Sequence, residues 1–586
     1  MSLLPKLRHT LVLSLLASVV PAQTAVEASA PAPLVDDDLV ARIKHEGLEN
    51  SRVMAYLDHL TNSIGHRLTG SRNFTLACEW AKGEFEKMGL EVQLEEWATW
   101  PIGWDRGQWQ GRVIEPVAMD LQIATPAFTA PTKGRQRGPM FLAPSTTEEF
   151  EAIRDRLEGA FLFRDGERTA EELDAYLAEH SIAGWVKASS GSEEYPNRIR
   201  VFADRNRPRD AERLPTIPDI VVRKDQADRI QALLDEHGEI EVEFDIRNRW
   251  NTEGVTLHNV IAEIPGTTKP EEVVVVCGHL DSWHQATGTT DNGTGTTTTM
   301  EAARILAAVG AKPERTIRFC LWGGEEQGLL GSREHVTRRR TSMKSVQIVF
   351  NHDTGTNWAQ SLTVNDAAFE PMERVVAPLL TLTPPDPDFE GPVFELKSRP
   401  TIAARGGSDH ASFLAARVPA FGWGLKGRVD YFGYTWHSQW DTFDVAVPEY
   451  QRHTATVVAL SALGAANLPE RLSSEGVGES GDAGPGSIRL VDSMGASWGV
   501  KFGGKRNLDL VEVNADGKAA SAGLAAGDRI VAVDGNAIRG LVSLRYALRE
   551  LEAENATITV ERGGEKVVIE APAAVLKITK PDASKE

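Results

Sequence analysis

At 586 residues the chain is too long for one hydrophobic core, so about two to four domains are expected. Apolar residues make up 41% and charged residues 25%, the balance of water-soluble globular domains. With 83 acidic against 63 basic residues, a net charge of −20 and no long Lys/Arg run, the chain repels phosphate backbones, which argues against a nucleic-acid partner.

Residues 1–22 read as a secretory signal peptide. Lys6 and Arg8 precede the apolar run Leu11 to Val20, and Val20-Pro21-Ala22 offers a small-residue cleavage site. No later segment is long and apolar enough to span a bilayer, so a secreted or periplasmic protein without stable membrane insertion is expected. Association as a homodimer stays open. Cys78, Cys277 and Cys320 are too few and too far apart for a disulfide framework; whether Cys277 and Cys320 are bridged is open.

Residues 37–120 read as the first part of the main domain, with a helix over Leu76 to Met88 stopped by Gly89 and a strand over Glu91 to Trp97. From 121 to 247 the texture changes to short strands and turns, with helices at Thr147 to Leu157 and Asp225 to His237. The order Phe141-Leu142-Ala143-Pro144, Gly159 to Phe163 and Ile182 to Val186 resembles an inserted, mainly-β protease-associated domain.

Residues 248–470 alternate strands (Val255 to Ile264, Val273 to Cys277, Arg315 to Trp322, Val346 to Asn351) with helices (Thr297 to Val309, Pro448 to Leu463). That alternation predicts an α/β fold, a mixed central sheet flanked by helices, with ligand sites at strand carboxyl ends. The Gly/Ser/Glu/Asp-rich stretch 471–487 reads as a flexible linker. Residues 488–578 resemble a PDZ domain through Ala522-Gly523-Leu524 and Gly527-Asp528-Arg529-Ile530, and its terminus-binding loop is placed at Ser497 to Phe502. Such a domain would take a C-terminal peptide as an added strand.

The chemistry lies at the predicted strand ends. Gly278-His279-Leu280-Asp281 follows a run of valines, and residues two apart on a strand share a face, so Asp281 could accept the second nitrogen of a ligating His279. Thr290-Asp291-Asn292-Gly293 leads into a helix; alone it would pass for an N-cap carboxylate. Gly324-Glu325-Glu326-Gln327-Gly328 sets two carboxylates side by side, and since adjacent residues diverge, one can bind metal while its neighbour reaches a water. Asn351-His352-Asp353 and Trp436-His437-Ser438-Gln439-Trp440-Asp441-Thr442 complete the set.

In this order and spacing, the motifs in residues 37–470 resemble the co-catalytic zinc aminopeptidase and glutamate carboxypeptidase family. The resemblance implies two zinc ions bridged by Asp291, one also held by His279 and Asp353, the other by Glu326 and His437. It makes Glu325 the general base toward a metal-bridging water and Asp281 the orienting group of His279. Two zinc ions carry +4, which Asp291, Asp353, Glu326 and one hydroxide balance, so burial of the cluster becomes tolerable.

Ser408, Asp409 and His410 resemble a segment near the family's substrate pocket. Where some relatives have a tyrosine before the metal histidine, this chain has Trp436, so Trp436, Tyr431 or Tyr434 is left as oxyanion donor. Peptides are the expected substrates, cut by an aminopeptidase or dipeptidase; a carboxypeptidase of the glutamate carboxypeptidase type and a non-catalytic peptide-binding relative are the alternatives. A serine hydrolase is set aside because Gly407-Ser408-Asp409 lacks the Gly-x-Ser-x-Gly form.

Overall fold

The computed structural model describes residues 33–164, 177, 180–192, 194–201, 210–479, 498–503, 508–538, 544, 548 and 555–573. The signal-peptide segment 1–22 lies outside the described residues, as do residues 480–487 of the expected linker. Among the described residues no helix is long and apolar enough to cross a membrane.

An eight-stranded mixed sheet forms the centre, in the order Glu91–Trp100, Val255–Ile264, Arg315–Trp322, Lys269–His279, Val346–Asn351, Ala420–Lys426, Trp358–Asn365, Glu395–Arg399. Its four middle strands run parallel. Their central stretches, such as Val273 to Cys277 and Ile348 to Phe350, are apolar because both faces are covered. Val274, Val276, Phe319 and Phe350 join the core beneath the helices Thr294–Ala308 and Pro448–Ala466, while Val273, Val275 and Cys277 join a second core with Val336 and Phe413 on the other face. Parallel strands point their carboxyl ends the same way, so His279, the turn after Trp322 and the turn after Asn351 emerge along one edge.

The helix expected at Leu76 to Met88 runs Arg72–Lys87, capped by the Ser71 hydroxyl and ended by Gly89 at φ +80. Cys277 and Cys320 are register neighbours on adjacent strands, yet all three cysteines are free, buried thiols. Burial pushes the Cys277 thiol well above its ordinary value, out of reach of ionisation at neutral pH.

A second eight-stranded sheet, with the helix Lys224–His237 against it, makes the insertion. Its strands include Trp109–Glu115, so it begins ahead of residue 121, where the sequence texture had placed the boundary. Trp109–Glu115 alternates exposed and half-buried residues around Val113, and only pairing with Ile240–Ile246 shows which sheet it joins.

The linker reading also changes. Residues 471–479 lie on the catalytic domain: Val477 is fully buried, Val477–Glu479 pairs with Ile402–Ala403, and Asn365 Nδ2 donates to the carbonyls of Ser473 and Glu475. One valine among Gly, Ser and Glu is enough to anchor this turn. In the C-terminal module, Val500–Phe502 pairs with Leu510–Val513, and Trp498 is buried in its core.

Candidate active site

The site is assembled where three backbone segments interlock. An added Cβ at Gly295 would lie 2.3 Å from Asn292 Oδ1 and 2.4 Å from the His352 carbonyl, so only glycine admits the approach. Asn292 fixes this crossing, donating to the His352 carbonyl at 2.9 Å and accepting from the Gly295 amide at 2.9 Å. Thr296 donates to the His279 carbonyl at 2.6 Å, tying the helix start to the strand end. The Asp-Asn-Gly-Thr-Gly motif is therefore a locking device that presents Asp291.

Asp291 faces two imidazoles with its two oxygens. Oδ1 lies 3.3 Å from His279 Nε2, and Oδ2 lies 3.1 Å from His437 Nε2. Asp353 Oδ1 completes one triad, 3.6 Å from His279 Nε2, and Glu326 Oε2 completes the other, 3.2 Å from His437 Nε2. Tetrahedral ligands at ~2.0–2.1 Å from a zinc ion are separated from one another by roughly 3.3 Å. The separations around Asp291 are thus of the size that zinc ligands show. His279 Nε2 and Asp291 Oδ2 are buried and make no hydrogen bond of acceptable geometry, as metal-directed atoms would be. Grouping by proximity alone sets Glu326 beside His279 and Asp291, and also admits Glu325 beside His279 and Asp353. Its separation of 3.9 Å from His279 Nε2 is the longest of the set and leaves it the carboxylate nearest to spare.

Electrostatics separates the roles further. Burial, reinforced by Asp353, Glu326 and Asp409 and opposed by His279, holds Glu325 well above the usual carboxylate range. Burial and the Asp291 charge raise Glu326 to about 7. Asp291 is held low in spite of its burial, by contact with His279 and His437. Although burial works against its protonation, Glu326 and Asp291 lift His437 to about 9. So many buried acids around two imidazoles form a site that divalent cations neutralise.

Asp281 is placed differently from the sequence expectation. His279 Nδ1 sits 2.9 Å from the main-chain carbonyl of Asp281 and 3.6 Å from its carboxylate. The carboxylate instead accepts from the Glu325 amide (3.1 Å), the Glu326 amide (3.3 Å) and the Thr69 hydroxyl (2.6 Å), so it holds the turn that carries both glutamates.

Sequence reasoning assigned no role to several supporting groups. Asp441 accepts from the amides of Thr290 (2.6 Å) and Asp291 (3.2 Å) and so aims the bridging carboxylate from within the His437 motif. Arg67 is fully buried and donates to the carbonyls of Leu280, Gly65, Thr287 and Gly288, bracing the 280–288 loop. The third is a clamp from the insertion. Ile199 N donates to Gln439 Oε1 (2.7 Å), Gln439 Nε2 to the Asn197 carbonyl (2.9 Å) and Arg200 Nη2 to the Phe432 carbonyl (2.8 Å). Arg200 lies over the Trp436 ring at 4.8 Å, and Trp436 lies 4.2 Å from the His437 ring. His437 itself is at φ +56, a left-handed conformation that surrounding contacts must hold.

Of the remaining predicted residues, Ser408 accepts from Asn351 Nδ2 at 2.8 Å, Asp409 is fully buried behind the site, and His410 lies 3.5 Å from the same Asn351. Tyr434 stacks on Trp440 at 4.7 Å, whereas Tyr431 is buried, and its hydroxyl is pushed up by burial and by Asp291, Asp353 and Glu326. A pocket opens over the metal side, lined by Trp283, Gln285, Ala286, Gly288, Asp291, Glu326, His437, Ser438 and Asp441, with no lysine or arginine among them. A Gly-x-Ser-x-Gly spelling does occur at Gly495-Ala496-Ser497-Trp498-Gly499, but it leads into the strand Val500–Phe502 of the C-terminal module, and Ser497 lies outside the described residues.

The chain is similar to known peptidases. Residues 259–461 match Peptidase family M28 and residues 510–562 match the PDZ domain. Carboxypeptidase Q of Bos taurus is 26% identical over 455 residues, covering 73% of this chain and 88% of that protein. The crystal structure of the peptidase M28 precursor from Shewanella amazonensis SB2B aligns with a TM-score of 0.54 at 24% identity, covering 74% of this chain and 98% of that one. A zinc aminopeptidase from Bacillus subtilis aligns at 20% identity with a TM-score of 0.47, covering 73% of this chain and 98% of that one.

Proposed function

We propose, from the premise that the chain belongs through residues 259–461 to the zinc exopeptidases of peptidase family M28, that it releases terminal residues from dipeptides and short peptides with two zinc ions. The observation that carries the reading is the division of Asp291 between two imidazoles, one per oxygen. His279, Asp353 and Asp291 would hold one ion, and Glu326, His437 and Asp291 the other. Bound there, the ions supply Lewis acidity toward the scissile carbonyl and lower the pKa of water.

The protein's own residues do the rest. Glu325 takes the proton of the attacking water and delivers it to the leaving amine, a task suited to a carboxylate whose burial raises its proton affinity. Asp281 keeps the Glu325–Glu326 turn rigid, so the base and the ligand diverge correctly. Tyr431, buried beside the acidic cluster, is the preferred oxyanion donor; Tyr434 is occupied in stacking on Trp440, and Trp436 lies against His437.

The pocket lining favours the amino end of the peptide, because it holds no Lys or Arg to take a terminal carboxylate. Carboxypeptidase action, the alternative suggested by likeness to carboxypeptidase Q, would draw its cation from Arg200 above Trp436. Residues 109–246 are read as a protease-associated-like insertion, residues 1–22 as an export signal, and the PDZ domain as a binder of extended C-termini that delivers substrate. The deciding experiment combines zinc analysis with hydrolysis of a peptide panel blocked at either end. Two ions per chain and activity confined to free amino ends support the reading; a single ion, or cleavage of amino-blocked peptides alone, refutes it.

A further inference from the structure

The chain enters the insertion through Gly103–Asp105 and Trp109 and returns through Ile246 and Arg249–Asn251. These connections are held close. The two short strands pair, Arg247 N donates to the Gln108 carbonyl at 3.0 Å, and Asn248 Oδ1 accepts from Trp109 Nε1 at 2.8 Å. At this junction an open cavity of about 480 Å³ is lined by Arg72, Arg106, Arg247 and Arg249 together with His66, Asn73, Asp105, Gly107 and Gln108.

The charge is the reverse of the molecule's. In a chain of net charge −20, four arginines meet one carboxylate in this lining, and no lysine is present. Arg247 is engaged by Asp245 at 2.8 Å, but Arg72 and Arg249 form no ion pair among the described residues. Arg106 lies 4.0 Å over the Trp109 ring and donates through Nη1 alone, to the carbonyls of His284 and Gln285. His66 Nδ1 is buried without a hydrogen-bond partner, and the ring is held neutral by burial and by the charges of Arg106 and Arg67. Guanidinium forks suit planar or tetrahedral oxyanions, and a junction between domains is where such ligands lodge.

We propose that this cavity is a second, non-catalytic site for a multiply charged oxyanion, a polycarboxylate or phosphoryl group, held by Arg72, Arg249 and Arg106. Its occupancy bears on the active site by two routes. Arg106 grips the carbonyls of His284 and Gln285, and Gln285 lines the catalytic pocket. The same junction carries the insertion whose Asn197 to Arg200 segment holds the His437 loop. The effect on catalysis rests on the exopeptidase reading; the binding does not.

The test is calorimetric titration of the zinc-loaded full chain with propane-1,2,3-tricarboxylate and with inorganic phosphate. R72A/R249A is compared with the wild type, with H437A as a control for anions taken by the metal centre. Binding retained in H437A and weakened by about tenfold per arginine in R72A/R249A is expected, since each loses a charge-assisted fork. Equal binding by R72A/R249A, or binding abolished only in H437A, overturns the site. R72K/R249K, which keeps the charge but not the fork, should fall between. Two kinetic arms then separate the sources of the anion. If free tricarboxylate changes KM for a neutral dipeptide in the wild type and not in R72A/R249A, the ligand is a free effector. If instead only peptides with acidic side chains show a raised KM in R72A/R249A, the anion belongs to the substrate. A KM unchanged in both arms overturns the link to catalysis while leaving the exopeptidase reading intact.

Discussion

Asp281→Asn separates two accounts of a residue that looks like the orienting partner of a metal histidine. If the carboxylate oriented His279, its loss would loosen the metal at the His279–Asp353 end, by ~10–100-fold in affinity for such partners. The structure predicts otherwise, because the main-chain carbonyl, at 2.9 Å, is the partner of His279 Nδ1. The carboxylate receives two backbone amides and a threonine hydroxyl, all on the turn of Glu325 and Glu326 or facing it. An asparagine keeps one acceptor oxygen and turns an NH₂ group toward at least one of these donors, in a site with no exposure to water. Loss of one charge-assisted hydrogen bond and burial of an unmatched donor cost about 2–4 kcal/mol. If half of that appears at the transition state, kcat falls by roughly 5–30-fold, at ~1.4 kcal/mol per tenfold. Zinc affinity at the His279–Asp353 end should stay within about threefold of wild type, and the second ion, held by Glu326, should loosen more. Competition with a chromogenic chelator, read as two release steps beside steady-state kinetics, measures both. Early loss of the His279-bound ion with the Glu326-bound ion retained would refute the assignment. Thr69→Val should reproduce the change more weakly, since it removes only the hydroxyl donor.

Glu325→Gln should reduce kcat by about 10²–10⁴-fold with two zinc ions retained, which metal analysis of the purified variant checks. Gln439→Ala removes both hydrogen bonds to the insertion, at 2.7 and 2.9 Å, and should cost about 1–3 kcal/mol of the order around His437, read as weaker binding of one zinc ion and raised KM. A chain ending after Glu479 should cleave dipeptides as fast as the whole protein, whereas one ending at Pro469 should melt several degrees lower because it loses the buried Val477 strand. Glu95, although buried, is held at about 2 by its hydrogen bonds to His335 and Asn259 and by Arg339, below its usual 4.5. A depressed carboxylate stabilises the fold fully above 4.5 and loses that contribution as pH falls toward 2. Glu95→Gln should therefore destabilise by roughly 1–3 kcal/mol at pH 7, with the difference gone near pH 2 in denaturant titrations.

What could be read from sequence divides along physical lines. The parallel strands were legible because burial on both faces makes them apolar runs; the ends of those runs drew attention to His279, Glu325, Glu326 and Asp353, and the family resemblance implied their roles. The helix after Asp291 was placed late, at Thr297, because Gly293 and Gly295 read as a sharp turn. Here Thr296 and Thr297 donate to the carbonyls of His279 and Gly293 and fasten the helix start to the site. No periodicity announces Asp441 or Arg67, whose partners lie on distant loops and are main-chain atoms that every residue type offers.

The insertion poses the sharper case. Read as a sequence it is a separate texture between two parts of a catalytic domain, and nothing in Tyr195-Pro196-Asn197-Arg198-Ile199-Arg200 suggests a role near metal. Yet this segment contacts the loop that must hold His437 at φ +56, and Tyr195 closes on Tyr434 and Trp440 at 5.5 and 6.0 Å. A non-glycine residue in that conformation costs about 1–2 kcal/mol, which local sequence alone does not recover. The catalytic domain therefore borrows part of the rigidity of its own ligand set from the inserted one. An insertion that only shaded the cleft could be removed with a change in specificity. One that holds His437 through Gln439, Arg200 and Trp436 should, when removed, leave the His279 and Asp353 end of the metal site formed and the His437 and Glu326 end disordered.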